Sequence, residues 1–332
     1  MYHQEPPFAI QIELVEGCNL YCNFCGLQGI RGPQDKTYKQ MSFDTAKSIA
    51  DQLHDLKWNS RIEFAMHGEP TMHSKPARMV QIFRTRLKKN QLMMTSNGGG
   101  LLMPPGIVEN LRALFKAGLN VYAFDAYEYV KIKDKVDEAL ANGIPGVEIH
   151  RYPDEREYSP HNRYTFNTRL FIRVKDISVA TVGTHSHLDN HCGAASEPLK
   201  EPKQERCAKP FRELSIRWNG DVAICCEDWF GQYKCGNVIK DRIADIWNGE
   251  EFMSARRYLY HKNRGGLKPC HVCDARSYRP GLLPDKFGKK VLRKPNEHDA
   301  YVVMNAARGK PYTEPVESKA YLIQIDLKGG VR

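Results

Sequence analysis

Short apolar segments alternate with amphipathic segments along the first half of the chain. Segments 8–14, 61–66, 91–95, 119–124, 146–150 and 169–174 have the length and composition of buried strands. Segments 43–57, 75–90, 105–117 and 128–141 repeat apolar residues at helical spacing, with Ser42 as the N-cap of the first. This alternation predicts an α/β fold with a parallel sheet and right-handed crossovers. Six units are too few for a closed eight-strand barrel, so we expect a partial (β/α)6 TIM-like barrel.

The pattern changes after residue 175. Residues 176–206 are rich in turn formers and predict a loop, and two alternating segments around Asn219-Gly220 predict a hairpin. Two short helices are predicted at 243–247 and 252–260, and a basic tail with one strand at 320–327 begins at residue 277. We therefore expect a core barrel at 1–190, a small α+β domain at 191–276 and a basic C-terminal tail at 277–332.

The composition and the N-terminal sequence exclude several classes of protein. Of 332 residues, 41% are hydrophobic and 27% are charged, which provides enough apolar surface for a core and excludes a disordered chain. No long uncharged apolar segment is present, and the N-terminus lacks the basic and apolar parts of a secretory signal. A cytoplasmic protein with no membrane partner is predicted, in a compartment where thiols stay reduced.

Ten cysteines therefore need an explanation other than disulfide bonds. They lie at positions 18, 22, 25, 192, 207, 225, 226, 235, 270 and 273, and none lies between 26 and 191. Grouping towards both ends of the chain, with short spacings, indicates two metal sites. Buried, inert thiols are the alternative, but such thiols would be scattered along the core pattern.

The first group has the spacing C-x3-C-x2-C and follows directly after a predicted strand. Cys18, Cys22 and Cys25 supply three thiolates on one tight loop, enough for three irons of a [4Fe–4S] cluster. The fourth iron is then open, which is typical of a reactive site rather than a structural one. The alternative is a zinc site, which would need a distant fourth ligand.

With Phe24 immediately before its last cysteine, this motif resembles the cluster loop of the radical S-adenosylmethionine (SAM) family. The resemblance implies that the open iron binds the amino and carboxylate groups of SAM, with Phe24 beside the cofactor. One electron from the cluster then cleaves SAM, and the 5′-deoxyadenosyl radical takes a hydrogen atom from the substrate. The resemblance also implies a small acidic reductase donor, flavodoxin-like or ferredoxin-like, as a partner.

Three further segments at the ends of predicted strands are similar to SAM-binding segments of that family. The sequence HGEP at 67–70 resembles the GGEP motif, with a histidine in place of the first glycine. The resemblance implies that Gly68 and Glu69 contact the SAM amino group, and that Asn97 and Asp125 meet its ribose and carboxylate. The alternatives are an ordinary loop for Asn97 and a helix cap for Asp125.

The second group consists of Cys207, Cys225, Cys270 and Cys273, the last two in a C-x2-C pair. Four thiolates close a second [4Fe–4S] cluster with no open iron. Together with the GNV, IADIWN and CHVC segments, the group resembles the SPASM/twitch auxiliary domain. The tight C-x2-C-x5-C-x3-C run of the fuller SPASM domain is absent, so the resemblance implies one auxiliary cluster. A zinc ribbon is the alternative, but ribbons usually have two C-x2-C knuckles.

Three cysteines remain outside these groups. Cys192 and Cys235 are interpreted as ordinary thiols, with replacement of an assigned ligand as the alternative. In some epimerase relatives a cysteine returns a hydrogen atom to the substrate, a role open to Cys226. In sulfatase-maturating relatives an acidic residue beside this ligand acts as a base, a role open to Glu227 or Asp228. We predict Cys226 and Asp228 as catalytic residues. The alternative for Cys226 is that strand alternation points its side chain away from the cavity and into the auxiliary core.

The resemblance implies a radical SAM oxidoreductase with two [4Fe–4S] clusters and SAM as cofactors. We expect two-electron C–H oxidation or modification of a peptide or small-molecule substrate, with the auxiliary cluster as electron acceptor. A radical epimerase with a cysteine hydrogen donor is the alternative within the family. A zinc-binding or nucleic-acid-binding protein is the alternative outside it.

The charge of the chain bears on its partners. Lys and Arg exceed Asp and Glu by 49 − 39 = 10, but the basic residues are spread out, without the aromatic interleaving of RNA-binding motifs. Nucleic acid is therefore not the favoured partner. His185, His187 and His191 have an H-x-H-x3-H spacing that zinc can use, yet their polar loop predicts surface or substrate-pocket residues.

Overall fold

The computed structural model describes residues 6–127, 132–141, 143–151, 171–177, 189–195 and 197–275. Its strands are β1 Ala9–Ile12, β2 Val15–Glu16, β3 Lys39–Gln40, β4 Arg61–Phe64, β5 Leu92–Ser96, β6 Val121–Tyr127, β7 Glu148–Arg151, β8 Phe171–Ile177, β9 Glu213–Ile216, β10 Asp221–Ala223 and β11 Lys234–Asn237. Its α-helices are α1 Leu27–Ile30, α2 Phe43–Leu56, α3 Pro76–Arg86, α4 Ile107–Lys116, α5 Ile132–Ala141, α6 Lys209–Arg212, α7 Ile243–Trp247 and α8 Glu250–Tyr260. The tail predicted at 277–332 lies outside the described residues.

One sheet contains nine strands in the order β11-β10-β9-β1-β4-β5-β6-β8-β7. The six strands predicted in the first half of the chain are confirmed, and each pairs in parallel with its neighbours. Chain order is broken at one edge, because β8 pairs with β6 and β7 lies outside β8. β8 has seven residues and β7 four, so the longer strand forms the fuller ladder against β6. The described sheet is open between β7 and β11, as expected of a partial barrel.

Helices cover one face of this sheet. Ile10 and Ile12 of β1 are buried in the same apolar core as Ile49 of α2. α2 begins where predicted, because the Ser42 hydroxyl accepts a hydrogen bond from the Thr45 N–H at 3.0 Å. At 14 residues α2 is the longest described helix, and none of the described helices has the length and apolar character needed to cross a bilayer.

The opposite face of the central strands is polar although it is buried. Successive residues of a strand face opposite sides, so Gln11, Glu63 and Ser215 share this face. The Ser215 hydroxyl donates to Gln11 Oε1 at 3.1 Å, and Gln11 Nε2 donates to Glu63 Oε2 at 3.4 Å. This face of the central strands therefore presents hydrogen-bonding groups rather than an apolar core.

The second part of the chain extends the same sheet. β9 pairs in parallel with β1, starting at Ala9↔Glu213, and β10 returns beside β9 as the predicted hairpin. Gln52 of α2 donates to the Val238 carbonyl at 2.9 Å and accepts from the Ile243 N–H at 2.8 Å. Sheet and helices are thus continuous from the barrel strands into the segment with the second cysteine group.

Candidate active site

The three cysteines of the first group lie on the loop between β2 and α1, beside a cavity of about 210 Å³. All three are half-buried, and all ten cysteines of the chain are free thiols. The Leu20 N–H donates to Cys18 Sγ at 3.3 Å, and the Cys25 N–H donates to the Cys22 carbonyl at 3.1 Å. These bonds fold the loop so that its sulfurs face one cavity.

The thiols of this loop are well suited to bind a cation. Burial raises the pKa of Cys18 to about 12 and that of Cys25 to about 11. The protein alone therefore keeps them neutral, and a bound cation is needed to hold them as thiolates. Iron provides that positive charge, and three thiols on one loop match three irons of a cluster. The donor set fits the predicted [4Fe–4S] site.

The turn after β4 is fitted tightly against the cysteine loop. Gly17 and Gly68 pair through an isolated bridge, and the Glu69 N–H donates to the Gly17 carbonyl at 2.9 Å. A Cβ on Gly68 would lie 2.2 Å from the Val15 carbonyl oxygen, so only glycine fits there. Gly68 and Glu69 thus join the loop to the turn, and both line the cavity.

The Glu69 carboxylate is buried and bonded to the protein. Oε1 accepts from the Thr71 N–H at 2.9 Å and from the Ser96 hydroxyl at 2.6 Å, and Oε2 accepts from the Asn97 N–H at 2.8 Å. Burial raises the pKa of Glu69 despite these hydrogen bonds. Glu69 therefore orders the ends of β4 and β5, and its contact with SAM stays a prediction.

Asn97 connects the end of β5 to the cysteine loop. Its Nδ2 donates to Cys18 Sγ and to Asn19 Oδ1, both at 3.2 Å. Asp125 of β6 and Phe24 line the same cavity. The structure thus brings all the predicted cofactor-binding residues to the cavity beside the three cysteines.

The four cysteines of the second group are all buried. Cys270 interacts electrostatically with Cys207 and Cys273, and Cys225 interacts with Cys270. Burial raises the pKa of Cys207 to about 11. Four converging thiols fit a cluster whose irons all have protein ligands. Among the described residues, no three His, Cys, Asp or Glu side chains meet closely enough to hold a single metal ion.

The leftover cysteines are not equivalent. Cys192 lies against Cys273, so a fifth thiol adjoins the second group. Cys235 shares the apolar core with three cysteines of the second group, but its electrostatic partners are Arg256, Glu251 and Asp228. Cys192 therefore differs from Cys235, because it lies against a cysteine of the second group.

His67, in the place of the first glycine of the motif, connects the two parts of the chain. Its Nδ1 lies 3.0 Å from Glu13 Oε1, and its Nε2 lies 2.9 Å from the Cys226 carbonyl oxygen. Its ring packs on Trp229, with ring centroids 4.4 Å apart. Burial opposes ionisation of Glu13, but His67 and Arg217 lower the pKa of that carboxyl below its usual value. A glycine would make none of these side-chain contacts.

Trp229 covers the cysteine loop. It packs with Leu27, and Cys18 and Cys25 lie against this apolar cluster. A Cβ on Gly26 would lie 2.5 Å from the indole, so the ring touches the loop backbone directly. No motif in the sequence predicted this role of Trp229. The available signal was its position, because it is an aromatic residue only four positions after Cys225.

The predicted catalytic residues have different surroundings. Cys226 is half-buried, with its Sγ 3.8 Å from Lys209 Nζ and 3.9 Å from Glu227 Oε1. Its thiol thus lies among charged groups and not in the auxiliary core that strand alternation favoured. Asp228 is fully buried, and its oxygens accept two backbone N–H groups of the following turn, both at 2.9 Å. Asp228 orders that turn, and its role as a base stays a prediction.

An ion-pair network lies between Cys226 and the cavity. Lys209 pairs with one oxygen of Glu227, and His191 Nδ1 lies 2.8 Å from the other. Burial opposes ionisation of Glu227, but Lys209 and His191 lower the pKa of that carboxyl below its usual value. His191 lines the cavity together with the three cysteines. Lys209 was not predicted, and His185 and His187 lie outside the described residues.

Cavity size alone does not locate this site. A larger cavity, of about 430 Å³, lies between residues 71–78 and α4. Its walls contain no cysteine and none of the predicted cofactor-binding residues. Converging thiols and polar side chains therefore mark the smaller cavity as the candidate active site.

Two segments of the chain match known families. Residues 12–147 match the radical SAM superfamily, and residues 207–274 match SPASM, an iron–sulfur cluster-binding domain. The chain therefore contains a radical SAM domain followed by a SPASM domain. It is an enzyme whose cofactors are SAM and a [4Fe–4S] cluster, with auxiliary iron–sulfur in its SPASM domain. The boundaries at 1–190, 191–276 and 277–332 stay predictions.

Known proteins and solved structures are similar to this chain over most of its length. The S-adenosyl-L-methionine-dependent 2-deoxy-scyllo-inosamine dehydrogenase of Niallia circulans is 22% identical over 267 residues, covering 80% of this chain and 92% of the relative. The crystal structure of BtrN in complex with AdoMet and 2-DOIA matches with a TM-score of 0.60 and 19% identity, covering 82% of this chain and 94% of BtrN. Streptococcus suis SuiB bound to precursor peptide SuiA matches with a TM-score of 0.40 and 14% identity, covering 82% of this chain and 76% of SuiB.

Proposed function

We propose that this radical SAM enzyme carries out the two-electron oxidation of a C–H site in a small polar substrate. One observation carries the proposal. The cavity beside the three-cysteine loop is lined by Trp229 and His191, which belong to the part of the chain that holds the second cysteine group. A substrate in this cavity would lie between the two groups. The similarity to a SAM-dependent dehydrogenase supports oxidation over other radical reactions.

The proposed cofactor ligands are the residues that converge at each site. Cys18, Cys22 and Cys25 would hold the SAM-binding cluster, Phe24, Gly68, Glu69, Asn97 and Asp125 would hold SAM, and Cys207, Cys225, Cys270 and Cys273 would hold one auxiliary [4Fe–4S] cluster. When bound, these cofactors supply reductive SAM cleavage, removal of a substrate hydrogen atom and acceptance of the second electron. The protein contributes ligands, orientation and exclusion of water.

The lining of the cavity supports a polar substrate. His191 lines it and is not among the residues proposed to hold SAM, so this polar side chain is left for the substrate. The net charge of +10 supports an acidic flavodoxin-like or ferredoxin-like electron donor.

Oxidation of a hydroxyl-bearing carbon also releases a proton, and His191 is placed to take it. Its Nδ1 is bonded to Glu227 at 2.8 Å, which leaves Nε2 as the ring nitrogen for the substrate. Lys209 fixes the Glu227 carboxylate from the other side. The histidine is thereby oriented by a charged partner, as a general base requires.

Epimerisation is a second candidate function because of Cys226. Its half-buried thiol lies 3.8 Å from the Lys209 ammonium, among charged side chains and within reach of solvent. If the substrate extends past the ion-pair network to this thiol, Cys226 would return a hydrogen atom to it, and the reductase donor would supply the electron that, with a proton, restores the thiol. The product would then keep its oxidation level and, in D2O, carry deuterium from the thiol.

The test uses the whole chain, reconstituted anaerobically with iron and sulfide and reduced by dithionite. SAM is supplied with 2-deoxy-scyllo-inosamine and a panel of related amino alcohols. We expect 5′-deoxyadenosine and a ketone product in equal amounts, and neither from a Cys18/Cys22/Cys25→Ala variant. His191→Gln should slow oxidation by about 100-fold. Deuterated, unoxidised product that disappears in Cys226→Ala would replace oxidation by epimerisation.

A further inference from the structure

A fifth thiol lies beside the four cysteines proposed for the auxiliary cluster. Cys192 is buried and packs against Cys273 and Ala275. The Cys192 thiol therefore lies where it can donate its S–H to the Cys273 sulfur. Cys225 also lies close enough to interact with Cys192 electrostatically. Cys192 therefore belongs to the surroundings of this site although it lies outside the SPASM match at 207–274.

Hydrogen bonds between Asn190 and residues 272 and 274 hold the segment of Cys192 in this position. Asn190 Nδ2 donates to the Val272 carbonyl at 2.8 Å, and the Asn190 and Asp274 backbone N–H groups each donate to the side chain of the other residue. His191 and Cys192 both adopt left-handed backbone conformations, with φ of 49° and 55°. Two successive non-glycine residues rarely adopt this conformation, so the surrounding contacts fix it.

This arrangement directs adjacent side chains to different sites. His191 lines the cavity beside the three-cysteine loop. Cys192, the next residue, contacts Cys273 of the second group. The short segment 189–195 thus touches both cysteine groups.

A fifth thiol has no iron to bind if four cysteines already hold the four irons. What it can supply is a hydrogen bond to a ligand sulfur. Hydrogen bonds to the sulfurs are among the features that set the reduction potential of iron–sulfur clusters. A donor stabilises the more negative, reduced state and so raises the potential.

We propose that Cys192 is a positioning residue of the auxiliary site, which donates its S–H to the Cys273 sulfur and raises the reduction potential of the cluster. A higher potential makes the cluster a better acceptor of the electron that leaves the substrate. The inference rests on the proposed auxiliary site of Cys207, Cys225, Cys270 and Cys273.

The experiment isolates the auxiliary cluster in the full chain. A Cys18/Cys22/Cys25→Ala parent is reconstituted anaerobically, and iron per chain and the midpoint potential are measured, the latter by redox titration followed by electron paramagnetic resonance. Into this parent we introduce Cys192→Ala, Cys192→Ser and Cys235→Ala. Cys235→Ala is the matched control, because Cys235 is also buried but, among the described residues, has Arg256, Glu251 and Asp228, and no cysteine, as its electrostatic partners.

We expect about four irons per chain in the parent and in all three variants. Cys192→Ala should lower the midpoint potential, Cys192→Ser should restore most of it because the hydroxyl still donates, and Cys235→Ala should leave it unchanged. An unchanged potential in Cys192→Ala would overturn the inference. Loss of iron in both Cys192 variants would also overturn it, since Cys192 would then be a ligand. A parent without iron would instead remove the proposed auxiliary site itself.

Discussion

The two cysteine groups of this enzyme differ in burial and in the number of thiols. Cys18, Cys22 and Cys25 are half-buried around a cavity, whereas the second group is fully buried and is adjoined by Cys192 as a fifth thiol. An incomplete, accessible set of ligands leaves an iron open to a small molecule, and a complete, enclosed set does not. Burial and thiol number therefore distinguish the two groups in the way that the proposed open and closed clusters require.

Removing either group should have the largest effect and should separate their roles. Both Cys18/Cys22/Cys25→Ala and Cys270/Cys273→Ala should reduce iron from about eight to about four per chain. Only the second variant should still form 5′-deoxyadenosine from SAM, since its open iron is intact. Iron, sulfide and 5′-deoxyadenosine are measured after anaerobic reconstitution. Retained SAM cleavage in the first variant would contradict the assignment.

Substitution of Trp229 tests whether the segment after Cys225 stabilises the three-cysteine loop. Trp229→Ala should lower the free energy of unfolding by about 3–5 kcal/mol, because it leaves a cavity over the cysteine loop. Trp229→Phe should cost less, and Phe230→Ala serves as control because Phe230 is exposed. Denaturant unfolding of the iron-free chain provides the measurement. Equal stability of Trp229→Ala and Phe230→Ala would show that the indole does not hold the loop.

His67→Gly restores the first glycine of the family motif and should nevertheless destabilise this protein. It leaves the buried Glu13 without its histidine partner, and the cost is about 3 kcal/mol. The lowered pKa of Glu13 means that its stabilising effect is present above its ordinary pKa and is lost as pH falls. His67→Gly should therefore lose less stability than wild type on acidification below about pH 4.5. Unfolding at pH 7 and pH 4 tests both statements.

Asn97 should give the smallest effect. Asn97→Ala removes the hydrogen bond to Cys18 Sγ, which is worth about 1 kcal/mol. It should also lower the midpoint potential of the SAM-binding cluster, measured in the Cys270/Cys273→Ala background. Asn110→Ala is the control, because Asn110 bonds only to backbone carbonyls of Leu101 and Met103. The same potential in both variants would remove Asn97 from the cluster site.

Local patterns predicted much of this molecule. Alternation and spacing identified β1 and α2, since Ser42 and the apolar period are signals within a few residues. The cavity residues Gly68, Asn97 and Asp125 were predicted because their segments resemble SAM-binding segments of the family and lie at the carboxyl ends of strands, which meet at one edge. Contacts that depend on distant pairing could not be predicted in this way.

His67 and Trp229 illustrate what local patterns leave out. Their contact requires β9 to lie beside β1, and no short pattern in the sequence specifies that pairing. Cys192 illustrates a second limit, because its contact with Cys273 depends on consecutive left-handed residues that are not glycine. The order of β7 and β8 likewise depends on which of these two strands pairs with the free edge of β6.

The pairing of Ala9 with Glu213 also has a consequence for how the chain is made. β1 is synthesised about two hundred residues before β9, so one of its edges stays without this partner until β9 has followed. Such distant pairing slows folding, and an apolar strand with an open edge can pair with other chains. Iron that reaches the first loop early would therefore meet an unfinished sheet, so productive loading follows completion of the chain.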